Sequence, residues 1–182
     1  IILFLGVSIL YGQKYFAEAR YFQGLASWQK GQNERALNEL SKAANLAPKA
    51  DLYWRDLAQV YLVRLQEVSQ RADLTAEEKN SWASSLIVNA INASKRATAA
   101  NPQDPANWNI RGFVYRNVIG LRGAEDWAIN SYKEAAKLEP VNPYIFTEIG
   151  RVYLTKADLA ADEPGKTENL KLARENFEKA IS

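Results

Sequence analysis

Three pairs of adjacent carboxylates are the residues of this chain whose type is most suggestive of acid–base chemistry. They are Glu77-Glu78, Glu125-Asp126 and Asp162-Glu163. A general acid and a general base need two carboxylates that converge from different elements into a dry cleft, where their pKa values are pushed apart. Adjacent carboxylates at helix starts instead stabilise the positive end of the helix dipole. We therefore interpret all three pairs as helix-start residues and not as catalytic groups.

The composition removes most other chemistries. The 182 residues include no His and no Cys, which excludes the commonest general base, the thiol nucleophile and thiolate metal ligands. No Gly-rich phosphate loop, nucleophilic Ser motif or cluster of metal-ligating residues is present in the sequence. We therefore expect no catalytic residue, no metal and no cofactor. The net charge of +2 is also too small to favour nucleic acid as a partner.

A repeated spacing of large and small residues predicts helices that pack in pairs. It is clearest between residues 104 and 140, in Trp108, Gly112, Tyr115, Ala128, Tyr132 and Ala135. Two helices with this spacing can form a hairpin, because aromatic side chains of one fill places where the other carries no bulk. Asp104 is a suitable N-cap, Pro105 suits the first helical position, and Pro140 ends the second helix.

The same spacing recurs along the chain and predicts an all-α array of about four hairpins. The predicted units cover about residues 17–50, 51–103, 104–141 and 142–182, of which the first and the last are incomplete or atypical. In the first unit, Gly31 is expected to end one helix and Asn33 to cap the next. In the second unit about twenty residues are inserted around the turn, at 62–85, so each helix is about ten residues longer and the hairpin should project by about 15 Å. Thr75 starts a capping box for the second long helix.

Residues 1–16 begin with ten uncharged, mostly apolar residues, followed by Tyr11, Tyr15 and Phe16. Aromatic residues with Lys14 and Arg20 just beyond them are typical of the point where a helix leaves a membrane. We predict that 1–16 is the end of a transmembrane helix that continues without a break into the first repeat. A buried helix that caps the array and a secretory signal peptide are the alternatives.

Taken together, the repeated residues resemble the tetratricopeptide repeat (TPR). The pattern is matched by three sets of residues: Trp54, Leu57, Ala58, Tyr61, Ala90, Ala97 and Pro102; Trp108, Gly112, Tyr115, Ala128, Tyr132, Ala135 and Pro140; and Phe146, Ile149, Gly150, Tyr153, Ala173, Phe177 and Ala180. The first unit matches at Gly24, Gly31, Ala36, Leu40, Ala43 and Pro48 but departs from the pattern at Arg20 and Ser27. The resemblance covers about residues 17–182 and implies a right-handed α-solenoid whose concave groove is lined by the first helix of each hairpin.

A narrower resemblance connects the apolar start and residues 52–61, 106–108 and 123–129 to the C-terminal repeat region of bacterial membrane proteins of the O-antigen ligase/polymerase type. The catalytic residues of those enzymes would lie in upstream membrane segments, so none is assigned to this chain. The resemblance implies a location at the bacterial inner membrane, with the repeats on its extracytoplasmic side.

The geometry of the TPR family places ten residues on the concave groove. They are Tyr21, Leu25, Trp28, Arg55, Gln59, Asn109, Phe113, Arg116, Asn117 and Arg151. The arginines among them would suit an extended, acidic peptide. Alternatively, these arginines are solvated or paired with nearby acids such as Asp56 and Glu148. Arg55 and Gln59 stand where the family's known carboxylate clamp has Lys and Asn, so that specificity is not carried over.

From the sequence we therefore expect a non-catalytic scaffold that binds a protein or peptide in its groove and is tethered to a membrane. The alternative is an accessory domain of a membrane glycan ligase or polymerase. A free-standing hydrolase is disfavoured by the missing His and Cys.

Overall fold

The computed structural model describes the backbone of residues 2–181 and the side chains of residues 12–181. That range contains eight α-helices and no β-strand, so the predicted all-α class is confirmed. The helices are α1 (Ile2–Gln29), α2 (Asn33–Leu46), α3 (Asp51–Gln70), α4 (Ala76–Ala100), α5 (Pro105–Arg116), α6 (Ala124–Leu138), α7 (Pro143–Asp158) and α8 (Glu163–Ile181).

The helices form two compact units. Unit 1 ends at Asn101 and contains α1 to α4, whereas unit 2 begins at Pro102 and contains α5 to α8. In unit 1, α1 packs on α2, α2 on α3 and α3 on α4; in unit 2, α5, α6, α7 and α8 pack in the same order. Each unit therefore consists of two helical hairpins in succession.

A glycine against a large side chain holds three of the four hairpins together. A Cβ atom on Gly112 would lie 2.8 Å from the ring of Tyr132, and one on Gly150 would lie 2.6 Å from the ring of Phe177. A Cβ on Gly24 would lie 2.7 Å from the Leu40 side chain. These distances are shorter than van der Waals contact, so the helices pack closely only because the Cβ is missing. This confirms the predicted alternation of large and small residues.

The ends of the helices are mostly those that the sequence predicts. Gly31, at φ 71°, lies just beyond α1 in a turn where the N–H of Gln32 donates to the carbonyl of Ser27 and that of Gly31 donates to Trp28. Thr75 forms the predicted capping box with Glu78. The prediction that Asn33 caps α2 is wrong: the N-cap residue is Gln32, and the Asn33 side chain instead donates to Glu67 at 2.5 Å.

The second hairpin is extended, as predicted. Helices α3 and α4 have 20 and 25 residues, whereas α5 and α6 have 12 and 15. The difference of about ten residues corresponds to about 15 Å of helix. Val68, in the added portion, and Leu86, directly after it, are both buried, so the apolar core extends into this part of the hairpin.

The aromatic residues predicted as core are buried to different degrees. Trp54 and Tyr132 are buried, whereas Trp108 and Phe177 are half-buried. Both indoles donate to the carbonyl of the proline that precedes their helix, Trp54 to Pro48 at 3.0 Å and Trp108 to Pro102 at 2.8 Å. The two tryptophans therefore each bind the backbone just before their own helix as well as contributing to the core.

The predicted membrane segment, 1–16, lies mainly outside the described side chains, which begin at residue 12. Helix α1 runs unbroken to Gln29, as the sequence predicts. Among the described residues, no helix has both the length and the apolar character that crossing a membrane requires.

Candidate functional site

In unit 1, Tyr21 belongs to an interhelical contact. Its hydroxyl donates to Oδ2 of Asp56 at 2.6 Å, and its ring stacks on Tyr53 with centroids 4.3 Å apart. Burial and the bond to Asp56 both raise the pKa of Tyr21 above its usual range. Burial also raises the pKa of Asp56, although the bond from Tyr21 and the charge of Arg55 oppose this shift. Tyr21 therefore links α1 to α3, and its hydroxyl is not free for a partner.

Three of the other predicted residues of unit 1 make no polar or ring contact among the described side chains. Leu25, Trp28 and Gln59 are half-buried, and their side chains make no hydrogen bond or ring contact within residues 12–181. Arg55 is half-buried on α3, and its charge opposes the rise in the pKa of both Tyr21 and Asp56. Unit 1 thus offers one guanidinium beside a carboxylate, with half-buried apolar and amide side chains on the same two helices.

In unit 2, Arg116 and Arg151 meet at one buried carboxylate. Glu148 is 1 % exposed, and its Oε1 accepts from Nη1 of Arg151 at 2.5 Å. Nε of Arg116 lies 2.9 Å from its Oε2, as an ion pair without the alignment of a hydrogen bond. The hydroxyl of Tyr132 also donates to Oε2, at 3.3 Å. A buried carboxylate requires such partners, because it has lost its hydration.

The charges in this cluster shift the neighbouring phenols. Burial raises the pKa of Tyr132 far above its usual range, and the charge of Glu148 adds to the effect. Burial and Glu148 likewise raise the pKa of Tyr144, against the opposing charges of both arginines. Both phenols therefore stay protonated near neutral pH, and Tyr132 remains a donor to Glu148.

The remaining predicted residues of unit 2 support this arrangement or lie beside it. The guanidinium of Arg116 lies over the ring of Phe113, 5.2 Å from its centroid. The Asn117 amide donates to the Phe113 carbonyl at 2.8 Å and so closes the end of α5. Asn109 is half-buried, and its Oδ1 is a buried acceptor without a hydrogen-bond partner.

The cluster leaves a cationic surface. Two guanidinium groups surround one carboxylate, and the Arg151 side chain is 55 % exposed whereas that of Arg116 is 27 % exposed. The N–H groups of Arg151 that face solvent can bind a further carboxylate in a bidentate manner. Nowhere in the described part of the chain do three or more acidic side chains come together as a metal site would require.

The sequence identified the arginines but did not assign Glu148 to the site, naming it only as a possible partner. A signal was present: Glu148 and Asp56 both stand two residues before the small residue of their helix, Gly150 and Ala58. At this register, each acid accepts from a tyrosine hydroxyl of another helix.

Comparison with known proteins supports the fold. No protein-family model and no curated protein matches the sequence. Among solved structures, MamA aligns with a TM-score of 0.66 and 19% identity over 96% of this chain and 81% of MamA. The Arabidopsis OM64 TPR domain aligns with a TM-score of 0.59 and 16% identity, over 77% of this chain and 96% of that domain.

A third structure is TTC0263, a thermophilic TPR protein of Thermus thermophilus. It aligns with a TM-score of 0.58 and 22% identity, over 91% of this chain and 81% of the other. These similarities show that the chain has a TPR-type fold, as the resemblance of its repeats implies. The right-handed winding and the concave groove stay predictions.

Proposed function

We propose that this chain is a non-catalytic scaffold that binds an extended, acidic peptide through the first helices of its hairpins. The observation that carries the proposal is the pairing of Arg116 and Arg151 on Glu148. Because one carboxylate cannot neutralise two guanidinium groups, the surface keeps a positive charge that a partner can complement.

Arg151 is the residue that we assign to partner contact in unit 2. It is more than half exposed, and its bond to Glu148 holds the guanidinium in a defined position before binding. Arg116 has a positioning role, since it neutralises Glu148 and stacks on Phe113. In unit 1, Arg55 is the corresponding candidate, with Gln59 one turn further along α3.

A selection of linear 12-residue peptides displayed on phage tests this proposal. We expect the selected peptides to be enriched in Asp and Glu, and their affinity to fall as salt is raised. Arg151→Gln and Arg55→Gln should each weaken binding by about tenfold, which corresponds to one charge-assisted hydrogen bond. Arg116 is not substituted, because its loss would leave Glu148 with one cation fewer.

Matched controls separate a specific contact from a change in net charge. Lys171 on α8 and Lys95 on α4 are exposed and lie on second helices, and Lys→Gln at either removes the same charge. Equal weakening by the control and the test variants would mean that the chain attracts acidic peptides without a first-helix site. Peptides that carry no acidic residue would contradict the proposed specificity.

We also propose that the chain is attached to a membrane through its N-terminal segment, with the repeats on the extracytoplasmic side of a bacterial inner membrane. The support is the uncharged sequence of residues 1–10 and the aromatic and basic residues that follow it. Recovery of the full protein in the soluble fraction after cell lysis, and not in alkali-washed membranes, would contradict this attachment.

The second candidate function is that of an accessory domain of an O-antigen ligase/polymerase-type enzyme. It is favoured by the same apolar start and by the resemblance at residues 52–61, 106–108 and 123–129. The reading frame upstream of Ile1 distinguishes the two. Several apolar segments of about 20 residues would favour the enzyme, whereas a start codon close to Ile1 would favour a singly anchored scaffold.

A further inference from the structure

Unit 1 has a further candidate binding surface, apart from the predicted concave groove. It lies between α2 and α4, and α3 forms its floor. Its inner part is a cavity of about 200 Å³, and residues of all three helices line it. Trp54, Leu57 and Tyr61 of α3 line it, together with Asn45 of α2 and Asn92 of α4. We call this the α2–α4 groove.

The groove continues along α3 towards the turn between α1 and α2. A larger cavity of about 830 Å³ is lined there by Asn38 of α2 and by Arg64 and Glu67 of α3. The α3 lining residues of the two cavities are spaced three or four apart, and so are Asn38, Ser41 and Asn45 of α2, so the two cavities follow neighbouring turns of the same two helices. From Trp54 to Glu67 the floor is about 20 Å long.

Four polar side chains of the inner cavity have no hydrogen-bond partner among the described side chains. The side chains of Ser41, Asn45, Asn89 and Asn92 make no hydrogen bond within residues 12–181. Three carboxamides, one on α2 and two on α4, therefore line the same space with donors and acceptors. Such a convergence of unpaired polar groups above an apolar floor is the usual character of a binding site.

Arg96 supplies the one charge of the inner cavity. Its guanidinium lies over the Trp54 ring, 4.8 Å from the centroid, and this contact holds it in place. No acidic residue lines this cavity, and the Arg96 side chain forms no ion pair in the described part of the chain. The charge thus favours a ligand that carries a carboxylate at this end.

We propose that the α2–α4 groove binds a short peptide in an extended conformation, and that the carboxamides of Asn45, Asn89 and Asn92 bind its main chain. A carboxamide places a donor and an acceptor side by side, which matches the N–H and C=O groups of an extended residue. A floor of about 20 Å accommodates about six extended residues. A carboxylate of the same peptide binds Arg96.

The structure favours a peptide over a saccharide. A sugar ring commonly needs an open aromatic face, but Trp54 is 6 % exposed and its face is covered by Arg96. The length of the groove also exceeds that of one ring. The long α3, which brings Arg64 and Glu67 beside the α1–α2 turn, gives the extended hairpin a role in lengthening the groove.

The test uses the whole chain and peptides selected from the same phage library, with affinities measured by fluorescence anisotropy. Asn89→Ala/Asn92→Ala removes two carboxamides, and Ala favours the helix, so α4 should remain folded. We expect at least one class of selected peptides to bind this variant about tenfold more weakly. Asn80→Ala, on the same helix but outside the cavity, is the control and should leave affinity within about twofold.

Main-chain recognition has its own readout. N-methylation of the central peptide residues removes N–H groups and should cost about tenfold, whereas alanine replacement of their side chains should cost less than about threefold. Peptides of this class should also be insensitive to Arg55→Gln and Arg151→Gln, so failure here is distinct from failure of the first-helix proposal.

Several results would overturn the proposal. The first is that every selected peptide binds Asn89→Ala/Asn92→Ala and the native chain with equal affinity, so that none depends on these carboxamides. The second is that N-methylation of the peptides leaves their affinity unchanged. Binding of a neutral oligosaccharide panel that is lost in the same double variant would also overturn it, because the groove would then recognise hydroxyl groups.

Discussion

The contact between Gly112 and Tyr132 allows a quantitative prediction of stability. In the interior of a helix, Gly→Ala ordinarily stabilises by about 1 kcal/mol. At Gly112 the added Cβ would lie 2.8 Å from three ring atoms of Tyr132, which is fully buried. Overpacking of this kind costs about 1–3 kcal/mol. The overpacking cost exceeds or offsets the helix-propensity gain, so we expect Gly112→Ala to destabilise by a net of up to about 2 kcal/mol.

The assay is thermal unfolding followed by circular dichroism and calorimetry. For a chain of this size, about 1 kcal/mol lowers Tm by about 2–4 °C. Gly112→Leu adds three further carbon atoms to the same contact and should cost more than about 3 kcal/mol. Gly12→Ala is the control, since a Cβ at Gly12 meets no atom within 4 Å and should be neutral or stabilising.

A double variant tests the cause directly. In Tyr132→Leu the ring is gone, so adding Gly112→Ala to it should cost little or nothing, and the two substitutions should couple by about 1 kcal/mol or more. If Gly112→Leu melts at the same temperature as the native chain, or if the two substitutions are additive, the assigned contact between α5 and α6 is refuted.

Three further predictions concern other contacts. Burial alone would raise the pKa of Glu39, but the hydrogen bonds from its arginine and lysine partners lower it below the usual value. The stability that Glu39 contributes is therefore present above the unfolded-state pKa and is lost as pH falls through the folded-state pKa. Glu39→Gln should therefore destabilise by about 1–2 kcal/mol at about pH 7, measured as a lower Tm, and the difference should shrink as pH falls below the usual pKa of a glutamate and vanish below the folded-state pKa. Thr75→Ala removes the capping box and should cost about 1 kcal/mol, seen as faster amide exchange at the start of α4; unchanged exchange there would contradict the role of the cap. Arg116→Met leaves Glu148 with one cation and should destabilise by about 2–3 kcal/mol, whereas the double variant with Glu148→Leu should recover most of that loss in urea unfolding.

The candidate site was only partly predictable from the sequence. The resemblance to TPR selected Arg116 and Arg151 as surface residues, and the sequence also offered their pairing with Glu148 as the alternative. The structure shows that pairing, with the carboxylate nearly inaccessible. Burial of an acid cannot be seen in a sequence, because it depends on which helices cover the residue. The role of these residues in binding stays a proposal.

The sequence by itself determined the features that arise between near neighbours. The large and small residues at helical spacing set the hairpins, Asp104 and Thr75 set helix starts, and the inserted residues 62–85 set the longer hairpin. The helix starts follow from contacts two or three residues apart, and the hairpins from the periodic spacing of large and small residues on two helices that are consecutive in the chain.

Only the tertiary structure decided which distant polar groups meet. It directed the Asn33 side chain to Glu67 and away from capping α2, and it brought carboxamides of α2 and α4 to one groove over α3. Those choices depend on how deeply each side chain is buried and on which charges remain to be satisfied when whole helices pack. The chain therefore encodes its hairpins locally, while its candidate binding surfaces arise from the packing of one hairpin on the next.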